Sequence, residues 1–199
     1  INILGCGFGI PGNIDKKTKM VHNAPNSPSI MGIKLGEILK ERLKMPVFIE
    51  NDANCLVISE SMFGSAKGCK SVVGVILGTG VGGGIVIDGK LHQGSTPIAG
   101  ELGHMTIKFD GRECKCGKLG CLEAYASGTS IEKRYMEETN EIIKVPEILA
   151  LAKNNKETAK KIIEETYEYI AFGLSNIINI IDPEAIVLGG GVSNIDELY

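Results

Sequence analysis

The sequence predicts an α/β fold. Three observations carry that expectation. Short apolar runs are stopped by glycine or proline, longer stretches between them place apolar residues at helical spacing, and a glycine-rich loop sits between two strands. At 199 residues the chain is long enough for one large domain or two small ones with a sizeable core. Hydrophobic residues make up 43% and charged residues 23%, the balance of a soluble globular chain.

The elements follow in order. Ile1–Gly9 reads as a strand ended by Gly-Ile-Pro-Gly. Asn13–Met20 is a polar turn, and Ala24–Ser29 a loop with two prolines. Gly32–Leu43 has apolar residues at 33, 35, 38, 39 and 43, which is helical spacing. Pro46–Glu50 reads as a short strand, and Asp52–Phe63 as a helix with Asp52 at or near its start. Ser71–Leu77 is a strand, Gly78–Gly84 a glycine loop, and Ile85–Ile87 resumes the strand before an Asp88-Gly89 hairpin turn. Pro97–His104 reads as a loop, Met105–Phe109 as a short strand, Cys114–Cys121 as an irregular knuckle, and Leu122–Ser127 as the start of a helix. Ser130–Glu141, Val145–Lys153 and Thr158–Ile181 are helical, and Pro183 stops the last of them. Ala185–Leu188 is a buried strand leading into Gly189-Gly190-Gly191.

Composition excludes several classes. The net charge is −3 and no basic stripe is present, so a nucleic-acid surface is not expected. No apolar run reaches the roughly 18 residues of a membrane span, and no signal peptide opens the chain. Of six cysteines, three cluster at 114, 116 and 121, while Cys6, Cys55 and Cys69 are scattered and read as small core residues. A cysteine cluster beside a histidine points to metal in a reducing, cytoplasmic setting. His104, Cys114, Cys116 and Cys121 make a full tetrahedral zinc set, which leaves no open position and makes the metal structural.

Two other patterns carry chemistry. The glycine loop with Thr79 offers backbone N–H groups and a hydroxyl to an anion. It lacks the Lys-Ser/Thr pair and following helix of a P-loop, and strand–loop–strand suits the nucleotide clamp of actin and hexokinase folds instead. A tight turn with spare glycines is the plainer alternative. In Glu50-Asn-Asp-Ala-Asn54, Asp52 stands where a base for phosphoryl transfer to a hydroxyl is wanted, although an Asp at a helix start is also a common N-cap. Glu101 and Glu123 flank the metal set and could share one sugar pocket with His104, or could be surface residues.

The combination resembles the ROK family (repressors, open reading frames and kinases). The resemblance rests on Leu77-Gly-Thr-Gly-Val-Gly-Gly-Gly84, Gly100-Glu-Leu-Gly-His104 and Cys114-Lys-Cys-Gly-Lys-Leu-Gly-Cys-Leu-Glu123. Gly9-Ile-Pro-Gly-Asn-Ile-Asp15, Ala24-Pro-Asn26 and Glu50-Asn-Asp-Ala-Asn54 add to it. It implies an actin-like, ribonuclease-H-like two-domain fold, with 1–56 in a small α/β domain and 57–199 in a large one. By resemblance Asp52 is the catalytic base. Gly12, Asn26, Asn51, Asp52, Glu101, His104 and Glu123 line the sugar. Gly78, Thr79, Gly80 and Gly82 contact ATP phosphates, and Gly189, Gly190 and Gly191 lie near the adenosine.

The implied activity is ATP- and Mg2+-dependent phosphorylation of a hexose, first of all glucose to glucose 6-phosphate in glycolysis, by a cytoplasmic homodimer or homotetramer. An N-acetylmannosamine or other hexose kinase is one alternative. A sugar-sensing repressor with a DNA-binding domain upstream is another, although the presence of Asp52, Thr79, Glu101 and Glu123 favours the enzyme. The chain opens at Ile1, within a strand, and lacks the Asp-x-Gly-Gly-Thr phosphate loop of family kinases. The expectation is a fragment truncated at both ends and inactive by itself.

Overall fold

The computed structural model describes residues 2–15, 17–24, 27–195 and 198. Strand β1 (Cys6–Ile10) pairs in parallel with β4 (Val47–Asn51), and β2 (Asn13–Ile14) with β3 (Val21–His22) forms a short antiparallel ribbon. Helix α1 (Leu35–Leu43) joins them and ends on Lys44 in the left-handed conformation. Ile10, Val21 and Ala24 make the small core of this region, with Phe8, Ile14 and Ile49 packed on it.

Helix α2 (Asp52–Met62) leads to a four-stranded sheet of order β7-β6-β5-β8. In it β5 (Val72–Leu77) and β6 (Val81–Ile87) are antiparallel, β7 (Lys90–Leu91) completes the hairpin, and β8 (Ala185–Gly189) runs parallel to β5. Alternation along β5 divides the two faces. Val73, Val75 and Leu77 join the main core with Ile131, Tyr135, Ile162 and Ile177, while Val72 joins Val57 and Val86 beneath α2.

The position of α2 depends on small residues. Gly74 and Gly84 are cross-strand partners, and Cβ atoms built on them would lie 2.9 and 2.7 Å from the Val57 side chain. A Cβ at Gly82 would meet Ala53 at 3.4 Å. Glycine here lets α2 lie against the sheet, which brings its first turn beside the β5–β6 turn. The expected loop over 78–84 is therefore corrected. Only Gly78-Thr79-Gly80 forms the turn, and Gly82–Gly84 belong to β6.

The other face carries α3 (Glu123–Ala126), α4 (Gly128–Thr139), α5 (Val145–Lys153) and α6 (Glu157–Ile181). The buried residues of α6, Ala159, Ile162, Ile163, Thr166, Ile170, Gly173 and Ile177, fall on one face, as an amphipathic helix requires. Asp182 in the left-handed region and then Pro183 end it. Arg134, only 6% exposed, ties three helices together. It donates to the carbonyls of Tyr125 and Ile162, to Thr166 Oγ1 and to Glu165 Oε2.

Several boundaries differ from the sequence reading. Met105–Phe109 does not form a strand, because Ile107 N and Lys108 N both donate to Gly120 O of the folded-back knuckle, leaving one bridge between Thr106 and Cys121. Gly191–Asn194 is a short 3-10 turn. Cys6, Cys55 and Cys69 are half-buried rather than core. The expected division between 56 and 57 falls inside the continuous helix α2. No helix of the described residues is long and apolar enough to cross a membrane.

Candidate active site

A cleft of about 650 Å3 lies between the start of α2, the β5–β6 turn, the segment ending at His104, and α3 with the head of α4. Gly12, Asn51, Asp52, Glu101, His104 and Glu123 all line it, together with Gly78, Thr79, Gly80, Gly82, Cys114 and Cys116. Asn26 lies outside the described residues. Gly189, Gly190 and Gly191 do not line the cleft. Their turn packs behind it, where a Cβ on Gly190 would fall 2.5 Å from Leu77 O.

The α2 junction separates two roles that the sequence left open. Asn51, not Asp52, is the N-cap: its Oδ1 accepts from Ala53 N and Asn54 N at 2.9 and 3.1 Å. Its Nδ2 donates to Gly12 O at 3.2 Å, which holds the Pro11-Gly12 turn against the helix start. Asp52 is the first helical residue and is exposed to the cleft; its Oδ1 accepts only from Ala53 N among the hydrogen bonds of the described residues.

Opposite stand the glutamates. Glu101 Oε1 accepts from Asn13 Nδ2 at 2.8 Å, and its Oε2 lies 3.9 Å from His104 Nε2. Glu123 Oε2 accepts from Val81 N at 2.9 Å, so the start of α3 is fastened to the glycine turn. A Cβ at Gly80 would lie 2.6 Å from that oxygen, so a larger residue there would push the carboxylate aside. The turn is also held from α4: Gly128 N donates to Gly78 O, and Thr129 Oγ1 to Thr79 O, both at 2.8 Å. Ser127 caps α4 by accepting from Ser130 N. Ser127, Thr129, Ser130 and Lys133 line the cleft and escaped the sequence reading. Serine and threonine at a helix start signal a cap, but they do not reveal what the helix points at.

The donor atoms of His104, Cys114, Cys116 and Cys121 lie within 4.8 Å of one another. Cys116 and Cys121 sulfurs are 3.6 Å apart, and Cys114 Sγ is 3.7 Å from His104 Nδ1. A tetrahedral zinc with metal–sulfur bonds of about 2.3 Å separates two sulfurs by roughly 3.8 Å, so the set fits this metal. Burial pushes the Cys121 thiol up to about 12, with hydrogen bonds from Cys116 and Cys114 adding to it, and burial also raises Cys114. At Cys116 burial acts upward but is outweighed by the Lys118 backbone N–H, the neighbouring thiols and the Lys118 charge, so its thiol is lowered. A cation among these sulfurs would displace their protons. His104 presents Nδ1 to the sulfurs and Nε2 to Glu101, so one ring can join metal and cleft.

Residues 2–199 match the ROK family. The N-acetyl-D-glucosamine kinase of Citrobacter koseri is 38% identical over 94% of the chain and 65% of its own length. A ROK hexokinase from Thermus thermophilus superposes with a TM-score of 0.88 at 34% identity, over 95% of this chain and 63% of that one. A ROK glucokinase from Streptomyces griseus, solved with glucose and AMPPNP, superposes with a TM-score of 0.85 at 33% identity, over 99% and 68%. The chain spans about two thirds of the length of the curated relatives it matches.

Proposed function

The chain belongs to the ROK family, and on that premise we propose that the whole protein transfers the γ-phosphoryl group of ATP to a hydroxyl of a hexose or N-acetylhexosamine. The observation that carries this reading is the gathering of Asp52, Glu101, His104, Glu123 and the Gly78-Thr79-Gly80 turn around one cleft. Asp52 accepts the hydroxyl proton as the sugar oxygen bonds to the γ-phosphorus. The bond from that phosphorus to the β–γ bridging oxygen breaks, and ADP leaves. Glu101 and Glu123 accept from sugar hydroxyls, with His104 Nε2 beside Glu101. Asn51 acts mainly by capping α2. The glycine turn faces the phosphates of ATP, which carries Mg2+, and Gly189–Gly191 lie toward the adenosine.

Zinc held by His104, Cys114, Cys116 and Cys121 would supply a fixed cation without an open position. These ligands lie between Glu101 and Glu123, so the fastened knuckle sets the spacing of the two glutamates.

N-acetyl-D-glucosamine is the first substrate to test and glucose the second. The reading supports this order because the Citrobacter koseri relative named for that amino sugar shares 38% identity, against 33% for the Streptomyces griseus glucokinase. The test is ADP release by full-length protein across N-acetylglucosamine, N-acetylmannosamine, glucose, mannose and fructose. The expected result is the highest kcat/KM on an N-acetylhexosamine. A higher value on fructose than on the other four overturns the assignment.

Gly80→Ala supplies a second test. The added methyl group displaces Glu123 from Val81 N, so kcat/KM should fall at least about tenfold, the cost of one lost charged hydrogen bond. Unchanged kinetics would rule out the proposed contact between Glu123 and the sugar.

A further inference from the structure

We infer that Glu50 and Gln93, neither of which lines the cleft, form a positioning pair that sets the separation between Asp52 and Glu101. This inference rests on the function proposed above. Glu50 sits near the end of β4, two residues before Asp52. Both carboxylate oxygens are engaged: Oε1 accepts from Asn51 N and from Asn54 Nδ2, both at 3.0 Å, and Oε2 accepts from Gln93 Nε2 at 2.7 Å.

Each partner belongs to a different part of the site. Asn51 caps α2 and holds Gly12. Asn54 is 6% exposed, and its Oδ1 has no hydrogen-bond partner among the described residues, so its bond to Glu50 fixes the orientation of the amide. Gln93 opens the segment that ends at Glu101, and its own carbonyl accepts from Ala99 N at 3.3 Å, closing that segment into a loop. Glu101 at the loop's far end is held by Asn13. One side-chain bond therefore joins the helix that presents the base to the loop that presents a sugar ligand.

The chemistry of the pair is asymmetric. The three donors to Glu50 are neutral, and Gln93 is the one that comes from another chain segment. A carboxylate at position 93 would place two like charges at hydrogen-bonding distance and drive the loop away from α2. A neutral residue at position 50 removes that repulsion and restores a donor–acceptor pair with the roles exchanged.

The test is a double-mutant cycle on the full-length protein, using Glu50→Gln, Gln93→Glu and both together. Gln93→Glu should raise KM for the sugar by about tenfold, as expected when a partly buried hydrogen bond to a charged group becomes a repulsion. KM for ATP and zinc content should stay within about twofold of the parent. Glu50→Gln alone should be mild, because the Gln93 amide can turn its oxygen to the new donor. The double variant should return KM to within about threefold of the parent. Failure of the double variant to recover, or a parallel rise in KM for ATP, overturns the inference. Hydrogen exchange of backbone 93–101 provides a readout free of any sugar. Protection should fall in Gln93→Glu and return in the double variant, and unchanged protection throughout also overturns it. A parent protein that phosphorylates no sugar, with exchange still following the cycle, refutes the function while leaving the tether standing.

Discussion

Asp52→Asn in the full-length protein is expected to lower kcat by about a thousandfold, within the 10²–10⁴ range of general-base catalysis, while sugar affinity stays within about threefold. The structure favours so clean a separation. Asn51 caps α2, so Asp52 is not needed to hold the helix start. The replacement amide keeps an oxygen for the Ala53 N–H that Asp52 Oδ1 now accepts. It loses the capacity to take a proton. Steady-state kinetics with calorimetric titration of the sugar measures both quantities. A variant that turns over within tenfold of the parent rules out the base. A variant that loses sugar affinity along with turnover would give Asp52 a binding role instead.

Cys121→Ser should have the largest effect on stability. Cys121 is 0% exposed and lies 3.6 Å from Cys116. The chain around it folds back so closely that a Cβ on neighbouring Gly120 would fall 1.6 Å from Lys108 O. Backbone bonds such as Gly120 N to Arg112 O and Cys114 N to Lys118 O shape the knuckle, but the four side chains meet one another through the metal. The expected loss is about 4 kcal/mol, in the range of lost metal sites. For a chain of this size that is roughly a 10 °C fall in Tm. Zinc content should drop from one per chain to a small fraction, and sugar affinity by about tenfold, because His104 and both glutamates lose their common anchor. Atomic absorption, thermal unfolding and sugar titration give the three readouts. Full zinc occupancy with an unchanged Tm would refute the four-ligand site.

The metal set and the helices were legible for different reasons. Ligand spacing is a local code, so His104, Cys114, Cys116 and Cys121 could be grouped before any fold was known. Helix α5 was legible because its apolar spacing lies between polar breaks, and it spans Val145–Lys153 as read. The glycine run was harder. Seven residues of similar composition serve different purposes, a turn at 78–80, close packing of α2 at Gly82 and Gly84, and room for Leu102 at Gly83, and only the sheet register separates them. The cap at Asn51 was hidden because Asn and Asp are equally good caps and stand side by side. Arg134 could not be found by pattern. A charged residue in a helix that also carries Glu132, Lys133, Glu137 and Glu138 reads as solvated surface, and its burial depends on α6, about 30 residues along the chain. Gln93 was hidden for the same reason, since its partner Glu50 is 43 residues away.

The proposed activity of this cleft is phosphoryl transfer to a sugar. The most direct measurement is phosphorus NMR of full-length protein with ATP, Mg2+ and N-acetylglucosamine or glucose. A new sugar phosphate resonance should grow in step with ADP, one for one, and should be absent with Asp52→Asn. ADP accumulating without a sugar phosphate, or no product with either sugar under conditions where the protein is folded and zinc-loaded, would contradict it.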